Sequence, residues 1–80
     1  MKVLRSALKH GCTSQDVVTA LETSARRRLI GEDPDRWLYI GFDGIGRVLE
    51  IVTVVGDDGQ EVVIHAMRAR RQYLPGGGRS

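Results

Sequence analysis

The spacing of apolar and polar positions changes once along this chain, near residue 26, and divides it into a helical part and an extended part. In residues 1–10, Val3, Leu4, Ala7 and Leu8 recur at the i, i+1, i+4, i+5 spacing of a short helix's inward stripe, and Gly11 ends the pattern. Thr13-Ser14-Gln15-Asp16 then matches a capping box, in which a threonine hydroxyl and an acid three residues on satisfy each other's backbone N–H groups. It predicts a second helix from Thr13 as N-cap to about Ser24, with Val17, Val18, Ala20 and Leu21 facing inward. The two segments predict a helical hairpin turning at Gly11-Cys12.

From Arg26 onward the period is two. Residues 27–30, 37–42, 47–55 and 61–66 read as strands, separated by turn-rich stretches at 31–35, 43–46 and 56–59. Residues 68–74 read as a final helical turn or an extended tail, and the Gly-rich residues 75–80 as a disordered one, having nothing to bury. The expectation is therefore an α+β fold, with an N-terminal helical hairpin packed on a three- or four-stranded antiparallel sheet. It forms a single domain over residues 1–74.

Taking both hairpin turns as loops of two or four residues fixes a register. Glu50 then faces His65, Ile51 faces Ile64 and Thr53 faces Val62, while Tyr39 faces Glu50 and Trp37 faces Val52. In that register Leu38, Ile40, Leu49, Ile51, Val62 and Ile64 share an apolar face for the helices. The other face carries the row Tyr39-Glu50-His65, with Trp37, Val52 and Val63 beside it. A slip of one residue would put Glu50 or His65 into the core, so the two hairpins support one another.

Charge sharpens the picture. The net charge is only +2, but residues 1–31 hold six Lys/Arg against two acids, residues 32–61 hold two against eight, and residues 62–80 hold four Arg and no acid. Basic flanks around an acidic middle suit a phosphate-bearing partner. At 80 residues a chain has one small core, burying only about 60% of its unfolded surface, so a substrate is expected on an open face. The single Cys12 leaves no intramolecular disulfide partner, which fits a reducing cytoplasm, and reads as a bystander although a helix N-terminus can activate a thiol. No apolar run reaches the ~18 residues of a membrane span and no secretory leader is visible, so a soluble, cytoplasmic protein is expected. Neither a metal cluster nor a Gly-rich phosphate cradle is expected, and no cofactor: Asp43-Gly44-Ile45-Gly46 reads as a hairpin.

A carboxylate, an imidazole and a phenol in one row can move protons. Glu50 would hold His65, Tyr39 would donate a hydrogen bond, and Arg68, Arg70 and Arg71 beyond the strand would neutralise a phosphate. RNA cleavage by its own 2′-OH needs a base, an acid and cations for the developing phosphorane charge. The plainer alternative for the same residues is a cross-strand Glu–His pair worth about 0.2–1 kcal/mol to the sheet. Trp37 and Tyr39 on the open face are aromatics on which a base could stack. A different class is also open: a protein-docking module using a Trp37/Tyr39/Val52/Val63 face.

Lys9-His10-Gly11 followed by the capped helix, then Trp37-Leu-Tyr-Ile-Gly-Phe, Gly46-Arg-Val-Leu, the turn at 56–59 and Val63-Ile-His-Ala66 with basic residues after it, resembles the BrnT-type toxins of the RelE-like ribonuclease fold. The resemblance covers residues 4–73. It departs in three places: the family's opening strand has no counterpart beyond residues 1–2, its Ala-Arg pair stands as Ala66-Met67 with Arg68 next, and the terminal helix is short. It implies a bacterial type II toxin that cleaves RNA, neutralised by a small antitoxin, often a ribbon-helix-helix DNA-binding protein, in a homo- or hetero-oligomer. It also raises Lys9 and His10 as site residues. The expected catalytic set is thus His65, Glu50, Arg68, Lys9, His10 and Tyr39, with Arg70, Arg71, Tyr73 and Trp37 binding RNA.

Overall fold

A computed structural model of the chain describes residues 1–74; the tail expected at 75–80 lies outside the described residues. Five strands form one sheet in the order β1-β5-β4-β3-β2: β1 (Lys2–Val3), β2 (Arg27–Gly31), β3 (Arg36–Phe42), β4 (Val48–Val55) and β5 (Glu61–Arg68). The sheet is mixed. β1 runs parallel to β5, and the other neighbours are antiparallel. One α-helix, α1 (Ser14–Thr23), packs on one face.

This corrects the expected helical hairpin on three or four antiparallel strands. Residues 1–10 form an edge strand and a 3-10 turn, Arg5–Leu8, in place of a helix. A ten-residue helix is marginal by itself, whereas pairing with β5 gives this backbone immediate hydrogen-bond partners, as where the Leu4 N–H donates to the Val63 carbonyl at 3.1 Å. The apolar stripe still goes inward: Ala7 is buried, and Val3 and Leu8 pack against the core. The capping box holds as read, with Thr13 Oγ1 accepting from Asp16 N at 3.1 Å and the Asp16 carboxylate accepting from Thr13 N at 2.9 Å. Val17 and Ala20 are buried, but Val18 points to solvent.

Both hairpin registers differ from expectation by one residue, for a shared reason. Gly46 and Gly59 adopt positive φ (88° and 80°), each closing a three-residue loop that ends in a left-handed residue. Odd loops invert the parity that even ones would set. Tyr39 therefore faces Ile51, Leu38 faces Val52 and Ile40 faces Glu50. Across the second hairpin Thr53 faces Val63, after which a β-bulge at Ile64 inserts one extra residue, so that His65 faces Val52 and Ala66 faces Ile51.

The helix-side core accordingly gathers Leu49, Ile51, Val63 and Ala66 with Val17, Ala20, Ala7 and Cys12. Leu49 and Ile51 were expected there; Leu38, Ile40 and Val62 lie on the other face. Asp43, in the β3–β4 turn, is buried and accepts from the backbone N–H groups of Ile45 (3.0 Å) and Arg47 (2.8 Å). The Arg47 side chain pairs with Asp43 and reaches Asp16 at 3.7 Å, tying this turn to the start of α1. Among the described residues no helix is long and apolar enough to cross a membrane.

Candidate functional site

Without the bulge at Ile64, His65 would face Ile51 and enter the helix-side core; the extra residue turns it onto the opposite face, beside Glu50. Glu50 faces Met67 on β5, so His65 is its diagonal neighbour two residues away on the same face. The His65 Nε2 to Glu50 Oε2 distance is 3.1 Å. The expected pair thus exists, reached by a different register.

Glu50 is wholly buried, and Arg70 closes over it. Oε1 accepts from the Arg70 backbone N–H (2.9 Å) and from Nε (3.1 Å), while Oε2 accepts from Nη2 (3.1 Å). Burial alone would raise the Glu50 carboxyl, but the bonds from Arg70 and then His65 outweigh it and hold the group below the usual carboxylate value. An ionised carboxylate only accepts, so His65 Nε2 carries a proton and Nδ1 is the nitrogen left for other chemistry. The His65 side chain remains 29% exposed. His10, at the end of the N-terminal turn, meets it edge-to-face with ring centroids 5.7 Å apart.

The other expected residues divide between the two faces. Tyr73 joins this side: the guanidinium carbon of Arg70 stands 5.5 Å from its ring centre. Lys9 and Arg71 are exposed on the flanking segments, Lys9 next to His10 and Arg71 next to Arg70. Arg68 pairs across from Leu49 and so projects on the helix side, away from Glu50 and His65. Tyr39 and Trp37 are also on that side, because they face Ile51 and Thr53. The row Tyr39-Glu50-His65 is therefore corrected to Ile40-Glu50-Met67, with Leu38, Val52 and His65 in the next row. The Trp37/Tyr39/Val52/Val63 docking face is not assembled either, since Val52 lies opposite the other three and Val63 is in the core.

Tyr39 instead belongs to a polar network. Its hydroxyl donates to Glu61 Oε2 at 2.6 Å, Thr53 Oγ1 donates to the same oxygen at 2.7 Å, and Arg27 reaches Glu61 Oε1 at 3.2 Å while lying 4.0 Å over the Trp37 ring. Burial opposes the charge on Glu61, yet these bonds hold its carboxyl low; burial, and then the bond to Glu61, push the Tyr39 hydroxyl up. Among the described residues no buried side-chain nitrogen or oxygen lacks a partner, which marks this network as structural support. Tyr39→Phe is expected to cost about 1.5–3 kcal/mol in chemical denaturation, the usual range for a hydrogen bond to a charged group. Cys12 is buried, and burial followed by the Asp16 charge raises its thiol above the ordinary value.

Compared with protein-family models, curated proteins and solved structures, the chain gives no significant match. The site must therefore be argued from its own geometry. Sequence reasoning passed over Arg28, which faces Leu38 across β2–β3 and stands 5.9 Å over Tyr73. Strand alternation is the signal that could have found it: Arg27 turns to Glu61, so Arg28 turns the other way.

Arg70 and Arg68 should part company in a stability measurement. The depressed Glu50 carboxyl contributes stability that is present above its unfolded value, about 4.3, and lost as pH falls through the folded one. Arg70→Ala should lower the melting temperature at pH 7, and the gap from wild type should narrow as pH falls below about 4.3. Arg68→Ala should move it little at either pH. An Arg70→Ala deficit that stayed constant with pH would show that Arg70 does not act through the Glu50 charge.

Proposed function

We propose that this protein is a metal-independent endoribonuclease and acts as the toxin of a bacterial type II toxin–antitoxin system. The observation that carries the catalytic part is His65, oriented through Nε2–H by a buried ionised Glu50 and set beside a second imidazole, His10. Two neighbouring imidazoles supply the base and acid that transphosphorylation needs. One, through His65 Nδ1, takes the proton of the 2′-OH as that oxygen attacks phosphorus. The other, as imidazolium on His10, gives a proton to the departing 5′-oxygen. The P–O5′ bond breaks as the P–O2′ bond forms, leaving a 2′,3′-cyclic phosphate and a 5′-hydroxyl, with no oxidant or further reactant.

Arg70 neutralises Glu50 and keeps its guanidinium more than half exposed, while Lys9 and Arg71 extend the positive rim toward a phosphodiester. The toxin assignment, and a small antitoxin as partner, rest on the resemblance of residues 4–73 to BrnT-type toxins. Incubating the purified chain with RNA in EDTA tests the chemistry: fragments ending in cyclic phosphate are expected. Intact RNA at high concentrations of folded protein would overturn it. Growth arrest on induction, relieved by co-expression of the adjacent gene, tests the biological role; normal growth at good soluble expression would remove it.

A further inference from the structure

Beside the Glu50–His65 cluster, on the same sheet face, is a concavity of about 620 Å³ lined by Arg26, Arg27, Arg28, Leu38, Ile40, Gln72 and Tyr73. Its parts come from two distant stretches of chain, the start of β2 with its neighbour β3 and the C-terminal turn Arg71–Tyr73. Leu38 and Ile40 form an apolar floor, since the register turns both away from α1. Tyr73 stands as an aromatic wall flanked by two guanidiniums, Arg28 at 5.9 Å and Arg70 at 5.5 Å.

The charges here are not already spent. Of the three consecutive arginines, Arg27 turns to the opposite face and pairs with Glu61. Among the described residues, neither Arg26 nor Arg28 lies within salt-bridge distance of a carboxylate. Gln72 adds an amide that can both donate and accept. An apolar floor, an aromatic wall, an amide and unpaired guanidiniums are what a nucleotide needs: the base stacks and is read at its edge while the phosphate meets arginine.

We infer that this concavity binds one nucleotide of a single-stranded RNA, as a subsite next to the cleaved bond. The inference rests on the endoribonuclease reading for its role and on the concavity itself for its ligand. Its position follows from the sheet. Ile40 on the floor faces Glu50 directly, and Arg28, Leu38, Val52 and His65 succeed one another across β2, β3, β4 and β5. The floor is thus about one strand spacing, ~4.8 Å, from Glu50. Arg70 bridges the two, bonded to Glu50 on one side and facing Tyr73 on the other.

The test uses a fluorescently labelled 2′-O-methyl ribotetranucleotide, which binds as RNA but has no free 2′-OH to attack, and uridine 5′-monophosphate and inorganic phosphate as competitors. Wild type should bind it, uridine 5′-monophosphate should compete better than phosphate, and Arg28→Ala and Tyr73→Ala should each raise Kd about tenfold. Tyr73→Phe should keep near-normal affinity. Arg28→Ala should also lower the slope of log affinity against log salt by about 0.7, the single-strand value for one phosphate contact. The fold of each variant is checked by thermal melting and by emission from Trp37, the sole tryptophan, on the opposite face.

Wild-type affinity in folded Arg28→Ala and Tyr73→Ala would overturn the subsite, as would no binding by wild type. The cleavage assay separates this from the parent reading. RNA cut normally by variants that also bind normally removes the subsite alone; a tetranucleotide bound through Arg28 and Tyr73 by a protein that cuts no RNA keeps the subsite and removes the nuclease.

Discussion

His65→Ala is expected to lower the rate of RNA cleavage by about 10²- to 10⁴-fold, the range for loss of one positioned acid or base, while leaving the fold in place. The fold should survive because Glu50 keeps all three of its bonds to Arg70 when the imidazole goes. What disappears is Nδ1, the one His65 nitrogen that Glu50 does not hold. His65→Gln separates this from simple packing: an amide can still donate to Glu50 Oε2 but cannot exchange a proton, so stability should return and activity should not. Since Glu50 is held below the ordinary carboxylate value, it stays charged through the neutral range. Single-turnover cleavage of a defined RNA measures the loss. A His65→Ala rate within threefold of wild type would remove His65 from the mechanism and leave the Glu50–His65–Arg70 cluster as sheet support.

How much of this site was legible in the sequence depends on which physical signal is asked. The capping box at Thr13 and Asp16 is a local hydrogen-bond pattern, and it reads correctly because nothing distant competes with it. The last four strands and the turns between them were legible for the same reason, whereas β1 was not. Register was not, although the decisive residues were visible: Gly46 and Gly59 each end a turn at the left-handed position, the signature of a three-residue hairpin loop. Taking those loops as even exchanges the faces of Leu38, Tyr39 and Ile40 relative to β4. The Glu50–His65 pair was still found, because the bulge at Ile64 offsets the odd second loop at that point of β5. A bulge carries no local signal in Val63-Ile64-His65, and only the packed sheet reveals it.

The N-terminal misreading has a different origin. The stripe Val3, Leu4, Ala7 and Leu8 identified side chains that seek the core, but a short apolar stripe does not determine the backbone that carries it. The free edge of β5 did, by accepting β1 in parallel and drawing Ala7 beneath the 3-10 turn. This placement also brings His10 to His65. The fold also brings the two basic flanks together at one point: Arg28 from the N-terminal third and Arg70 from the C-terminal one meet at Tyr73.

The largest stability effect is expected at a residue with no part in the chemistry. Gly41, near the end of β3, faces Leu49 and is buried beneath α1. A Cβ placed on it would lie 1.8 Å from the Ala20 carbonyl oxygen and 2.7 Å from its carbonyl carbon. Both are backbone atoms of the helix and cannot rotate away, so the whole helix must lift from the sheet. The helix is poorly free to do so. Phe42 N donates to Thr23 Oγ1 at 2.8 Å at one end of α1, and Arg47 holds Asp16 at the other. Lifting also loosens Val17 and Ala20 from Leu49 and Ile51. Gly41→Ala should therefore cost about 3 kcal/mol or more, at or above the upper range for overpacking. A domain of this size has about 4–12 kcal/mol in total, so the melting temperature should fall by at least about 12 °C or the chain fail to fold. Gly44→Ala is the matched control, because a Cβ there meets nothing within 4 Å, and it should melt close to wild type. Should Gly41→Ala melt within about 2 °C of Gly44→Ala, the close approach of α1 to β3 would not be a constraint on the folded protein.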